Sequence, residues 1–191
     1  IPNRWGELKG YERLDLPALK RAAEFRYPVY AVGYNWLHSN VKAAEHLGKS
    51  IEAILLKCEG TKRWRCNHGV IVVTHSMGGL VASMCDKLFT GRIQGIIHGV
   101  QPAMGAGTAY RRVRAGWEDM KGAVGLGGTG KKIMPVFANA AGPLELLPNQ
   151  RYGTSWLRVT SEGKEVLSFP TEQRNGTVDP YSQIYLETNK W

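Results

Sequence analysis

Apolar positions recur along this chain in two periods, and the switches between them predict alternating helices and strands. Leu16 to Phe25 has the helical period, with Asp15 at its N-cap and Pro17 in its first turn. The run Pro28–Tyr34 predicts a short buried strand. Val41, Ala44, Leu47, Ile51, Ile54 and Leu55 put a helix over Asn40 to Lys57. A strand Val70–Val73, a helix from about Met77 to Phe89 and a strand Ile93–Val100 follow. Next come a helix Ala106–Trp117, a glycine-rich loop Gly122–Gly130 and a strand Ile133–Ala138. This alternation implies an α/β fold, a mostly parallel sheet flanked by helices. Beyond Pro143 the texture changes. Trp156–Thr160 and Glu165–Phe169, separated by Ser161–Lys164, read as a β-hairpin.

The most informative stretch is Val70-Ile71-Val72-Val73-Thr74-His75-Ser76-Met77-Gly78-Gly79-Leu80. An apolar β-branched run leads into a serine flanked by small residues, and a helical pattern starts at once. That is the pattern of a nucleophile elbow, a strained strand-turn-helix corner that lifts a serine hydroxyl from the end of a sheet. Gly78 fills the second glycine position of G-x-S-x-G, and Thr74 stands at the first. The bland alternative is an ordinary helix N-cap serine.

Composition narrows the rest. A 191-residue chain that is 43% hydrophobic, with six Trp and eight Tyr, is long enough for one domain with a core. No apolar run approaches the roughly 18–20 residues that span a bilayer. The N-terminus has neither an initiator Met nor a signal pattern, as expected of a processed or excerpted chain. The formal charge of +9 favours polyanions or an anionic membrane surface as neighbours. Basic clusters at Lys57/Lys62/Arg63/Arg65, Arg111/Arg112/Arg114 and Lys131/Lys132 are more simply solvated faces. No nucleic-acid-binding motif accompanies them. Cys58 and Cys66 bracket a polar loop and could form a short disulfide or stay as two thiols. A zinc site from Cys58, Cys66 and His68 lacks a fourth ligand. Cys85 reads as a buried thiol.

Gly125-Leu126-Gly127-Gly128-Thr129-Gly130-Lys131-Lys132 spells G-x-x-x-x-G-K, but Lys132 replaces the Ser/Thr that would hold magnesium. The loop is also expected to feed a strand, whereas a phosphate cradle needs a helix N-terminus. A surface loop is the preferred reading.

A serine nucleophile needs a histidine to take its proton and a carboxylate to orient that histidine. In an elbow-bearing hydrolase both follow the serine, and the N–H of Met77 is one oxyanion donor. Of five histidines only His98 follows Ser76, and it sits on the very next strand. His75 adjoins the serine and cannot face it, while His38, His46 and His68 precede it. Asp86 and Asp119 fall in helical stretches; Glu145 and Asp179 occupy loops. Asp179 is the candidate acid. No complete triad can be assembled.

Val32-Gly33-Tyr34-Asn35-Trp36 with Thr74-His75-Ser76-Met77-Gly78-Gly79 resembles the lipase-like α/β-hydrolases related to lecithin:cholesterol acyltransferase and the GPI-inositol deacylases. His98-Gly99-Val100-Gln101-Pro102-Ala103, the stretch Ala138–Asn149 and Asp179-Pro180-Tyr181 look like bacterial type VI secretion lipase effectors, the Tle phospholipases. The resemblance implies that residues 1–141 are the central part of an α/β-hydrolase domain and 142–191 a cap-like segment with the hairpin. It implies a larger parent, whose oxyanion strand precedes Trp5 and whose acid and histidine follow Tyr185. Ser76 and the Met77 amide carry over. His75, His98 and Leu144 would line the substrate site, and Leu146, Leu147 and Trp156 would meet lipid chains or merely pack the cap.

The expected function is therefore a serine esterase or lipase, a phospholipase-type antibacterial effector working through an acyl-Ser76. The alternatives are a non-catalytic fragment or scaffold and an acyltransferase. No cofactor is needed for the chemistry, with calcium as a structural option. Expected partners are a phospholipid or other acyl ester, an anionic membrane surface, a secretion-apparatus protein and an immunity protein. The expected location is bacterial, with delivery into a target-cell periplasm.

Overall fold

The computed structural model describes residues 15–23, 27–60, 69–116 and 129–188, in two units, Ile1–Val32 and Gly33–Trp191. In the first unit, helix α1 (Leu16–Ala23) starts where expected: the Ala18 N–H donates to the Asp15 carboxylate at 2.7 Å. Residues 24–26 lie outside the described residues.

The strand expected over Pro28–Tyr34 does not form. Among the described residues this segment joins no ladder, and Val29 is 94% exposed. Strand propensity expresses packing against neighbours, so a β-branched run without a hydrogen-bonded partner stays irregular.

In the second unit, α2 (Asn40–Glu59) is capped by Ser39, whose hydroxyl accepts the Lys42 N–H. Its Asn40 N–H donates to Glu145 Oε2 at 2.8 Å, which ties the helix start to a segment more than a hundred residues on. Ala43, Ala44, Ile51 and Leu55 form its buried stripe, at the expected helical spacing. They pack on Val81 and Cys85 of α3 (Gly78–Leu88). Gly48 lets the Phe89 ring come within the space a Cβ would fill. Burial pushes the Cys85 thiol pKa up, and the neighbouring Asp86 adds to it, so this is an inert core thiol. Cys66 and His68 lie outside the described residues.

The strands β1 (Val70–His75) and β2 (Ile93–Gly99) pair in parallel, with Thr74 opposite His98 and His75 opposite Gly99. Val70, Val72 and Ile93 face the helical core. The other face is open: Ile71, Val73 and Ile97 are 54%, 73% and 60% exposed.

Helix α4 (Gly107–Ala115) matches its expectation as far as Gly116; Trp117, Asp119 and the loop to Gly128 lie outside the described residues. The strand expected over Ile133–Ala138 is instead helix α5 (Gly130–Phe137). Ile133 and Phe137, four residues apart, turn to one side: Ile133 is buried and the Phe137 ring meets Trp36 edge-on at 5.2 Å. A short apolar run carries no period that separates strand from helix, and this tertiary contact decides it. One ground for rejecting a phosphate cradle at Gly125–Lys132 thus falls, because a helix does follow. The reading as a surface loop then rests on Lys132 in place of the Ser/Thr, with Gly125–Gly128 outside the described residues.

A single turn α6 (Ala141–Leu144) leads to a hairpin of β3 (Leu157–Ser161) and β4 (Lys164–Phe169), antiparallel as expected. Its two central residues, Glu162 and Gly163, both have positive φ (50° and 76°), the geometry of a type I′ turn. Trp156 packs among Tyr110, Tyr152 and Tyr185, with ring centroids 5.7, 6.0 and 6.3 Å away. Of its two expected roles, packing is the one this cluster supports.

Candidate functional site

The sheet ends in a corner at Ser76. Its φ is +51°, the left-handed region that costs an L-residue on the order of 1–2 kcal/mol. The surrounding backbone holds it there. The Ser76 N–H donates to Gly99 O at 2.8 Å, and Ser76 O accepts the Gly79 N–H at 3.0 Å. Helix α3 begins two residues after the serine, with Met77 at the N-cap. Among the described residues the Met77 and Gly78 N–H groups have no acceptor. Unpaired N–H groups at a helix start are donors available to a developing negative charge. Strain held at a serine beside such donors is what an elbow requires, and an N-cap serine has no need of a positive φ.

Steric need for glycine falls at a different position from the one the consensus spacing suggests. A Cβ on Gly78 would meet only Thr74 Cβ at 3.6 Å and the Tyr34 hydroxyl at 3.9 Å, ordinary contacts. A Cβ on Gly79 would sit 2.7 and 2.9 Å from Gln101 side-chain atoms and 2.9 Å from His98 Nδ1. Gly79 is the position that must lack a side chain.

Thr74, at the variant position of the motif, has its own bonding. Its hydroxyl lies 3.3 Å from Ile97 O and 3.2 Å from His98 Nδ1. Both bonds are satisfied together when the hydroxyl proton goes to Ile97 O and His98 donates from Nδ1, which leaves the Nε2 lone pair free. His98 thus stands over the start of α3, held by the strand that carries the serine. A second strained residue lies alongside: Val100, exposed and β-branched, has φ +48°.

The remaining expected residues lie apart from this corner. His75 points to the open side of the sheet with Ile71 and Val73. Leu144 is exposed on α6. Asp179 caps the turn Tyr181–Tyr185: the Tyr181 N–H donates to Asp179 Oδ1 at 3.0 Å. A hydrogen bond from the Ser182 side chain holds its carboxyl below the ordinary 3.8, helped by the Tyr181 and Ser182 backbone. Among the described residues no imidazole or carboxylate hydrogen-bonds the Ser76 hydroxyl. Nor do three or more His, Cys, Asp or Glu side chains converge there on a metal-sized site. None of the described helices is long and apolar enough to cross a membrane.

Fold and corner together define an α/β protein with a small parallel sheet and a strained serine at a strand-to-helix turn. A chain of the crystal structure of the Tle4-Tli4 complex is similar to it, with a TM-score of 0.76 and 32% identity over 97% of these residues. The present chain spans 38% of that chain's length. No family model matches this sequence, and no curated protein does.

Proposed function

We propose that this chain is the nucleophile-bearing part of a serine esterase of the lipase kind, cleaving acyl esters of phospholipids through an acyl-Ser76. The observation that carries this reading is the positive φ of Ser76 next to two N–H groups that have no acceptor among the described residues. In the first step Ser76 Oγ bonds to the ester carbonyl carbon while its proton passes to a base. The Met77 N–H donates to the oxyanion, and the collapse of the adduct expels the alcohol, which takes the proton back. Water then repeats the sequence on the acyl-enzyme and frees the fatty acid.

The base and acid belong, in this reading, to segments beyond these residues. Two observations support that: nothing described bonds the Ser76 hydroxyl, and the similar solved chain is far longer. The same observations favour one alternative, a non-catalytic hydrolase-like segment. An effector role, with export to a target cell and an immunity partner, rests on the resemblance to type VI lipase effectors. The similarity to a chain of a structure described as a Tle4-Tli4 complex supports it.

The test is release of fatty acid from phosphatidylglycerol and phosphatidylethanolamine vesicles by the intact protein that carries this chain. The reading expects release by the wild type and none by Ser76→Ala. Release undiminished in Ser76→Ala would refute it.

A further inference from the structure

A cavity of about 390 Å³ opens beside the start of α2, lined by Tyr34, Asn35, His38, Lys42, Ala43 and His46 together with Gly33. Its polar groups come from two rigid pieces. His38 ends a turn closed by Asn35, whose carbonyl accepts the His38 N–H at 3.1 Å and whose side-chain oxygen accepts the Leu37 N–H at 3.1 Å. Gly142 buttresses this turn, donating its N–H to Leu37 O at 3.3 Å. Lys42 and His46 stand one helical turn apart on α2, on one face of a capped helix of 20 residues.

Charge and donor type identify the ligand class. Among the described residues no carboxylate lines the cavity. Lys42 presents only donors, the two imidazoles supply more, and the Asn35 amide nitrogen is left to donate because its oxygen is engaged. Burial raises the Tyr34 pKa, so its hydroxyl stays protonated. The cavity lies by the first turns of α2, where the helix dipole adds positive potential.

We propose that this cavity binds a phosphate-type oxyanion, with His38, Lys42 and His46 as its principal donors. Through Tyr34, whose hydroxyl lies 3.9 Å from where a Gly78 Cβ would sit, the cavity adjoins the serine corner, but none of its three donors takes part in the Ser76 chemistry. Its ligand is either free phosphate or the phosphate of a lipid headgroup.

The experiment is a titration of the intact protein with inorganic phosphate at constant ionic strength, read from histidine side-chain NMR. The expected result is a saturable shift of His38 and His46 with one dissociation constant, and none at His75 or His98. Lys42→Ala should weaken binding about tenfold or more, the loss of a charged hydrogen bond, and Lys42→Arg should retain it. Lys42 is exposed, so neither variant threatens the fold. Ser76→Ala should bind phosphate as the wild type does, which separates this site from the hydrolase reading. Competition by glycerophosphoglycerol identifies a lipid headgroup as the source; binding that resists it identifies free phosphate. A non-saturating drift, an equal response at all histidines, or binding unchanged in Lys42→Ala would overturn the proposal.

Discussion

Thr74 Oγ1 and His98 Nδ1 lie 3.2 Å apart, across paired residues of two parallel strands. The Thr74 hydroxyl therefore fixes an imidazole beside the Ser76 corner. Thr74→Val removes the bond at similar volume. It should cost about 1 kcal/mol in denaturant unfolding and release His98 from its Nδ1–H form, seen by nitrogen-15 NMR. An unchanged His98 tautomer would show that the pair is incidental.

The two glycines after the serine should behave oppositely. Gly79→Ala forces a methyl against Gln101 and His98 and should destabilise by about 1–3 kcal/mol. Gly78→Ala meets only ordinary contacts and should stay within about 1 kcal/mol of wild type, most of it backbone effect. Thermal or denaturant unfolding of both variants decides the order.

Strain at the corner should be recoverable as stability. Ser76→Gly and Val100→Gly each place glycine where φ is positive, and each should stabilise by about 1 kcal/mol. Ser76→Ala keeps the strain and should not. A gain for Ser76→Ala equal to that for Ser76→Gly would argue against backbone strain as the cause.

Acid should loosen one turn before the core. Asp179 has its folded pKa lowered, so its contribution is fully present above the unfolded value of 3.8 and is lost as pH falls through the lower folded value. Amide protection at Tyr181 and Ser182 should fall in that window, relative to intrinsic exchange. In Asp179→Asn, which caps without titrating, the step should vanish.

How far the sequence foretold this molecule depended on how local each determinant is. The Val70–Leu80 corner was legible because strand, turn and helix are adjacent in the chain. The hairpin was legible for the same reason, through Gly163. Helix α5 was not, since Ile133–Phe137 is too short to show a period and Trp36 decides its packing. The Pro28–Tyr34 run failed as a strand because pairing depends on a neighbour that propensity does not reveal. The role of Gly79 depends on Gln101 and His98, more than fifteen residues away. Lys42 and His46 show a helical spacing in sequence, but His38 joins them only through the Asn35 turn.

The central claim is that Ser76 is a nucleophile, and intact mass after fluorophosphonate treatment tests it most directly. The account predicts one adduct per chain on the intact protein, mapped to the Ser76 peptide and absent in Ser76→Ala. An intact protein that stays unlabelled, or an adduct that persists in Ser76→Ala, would contradict it.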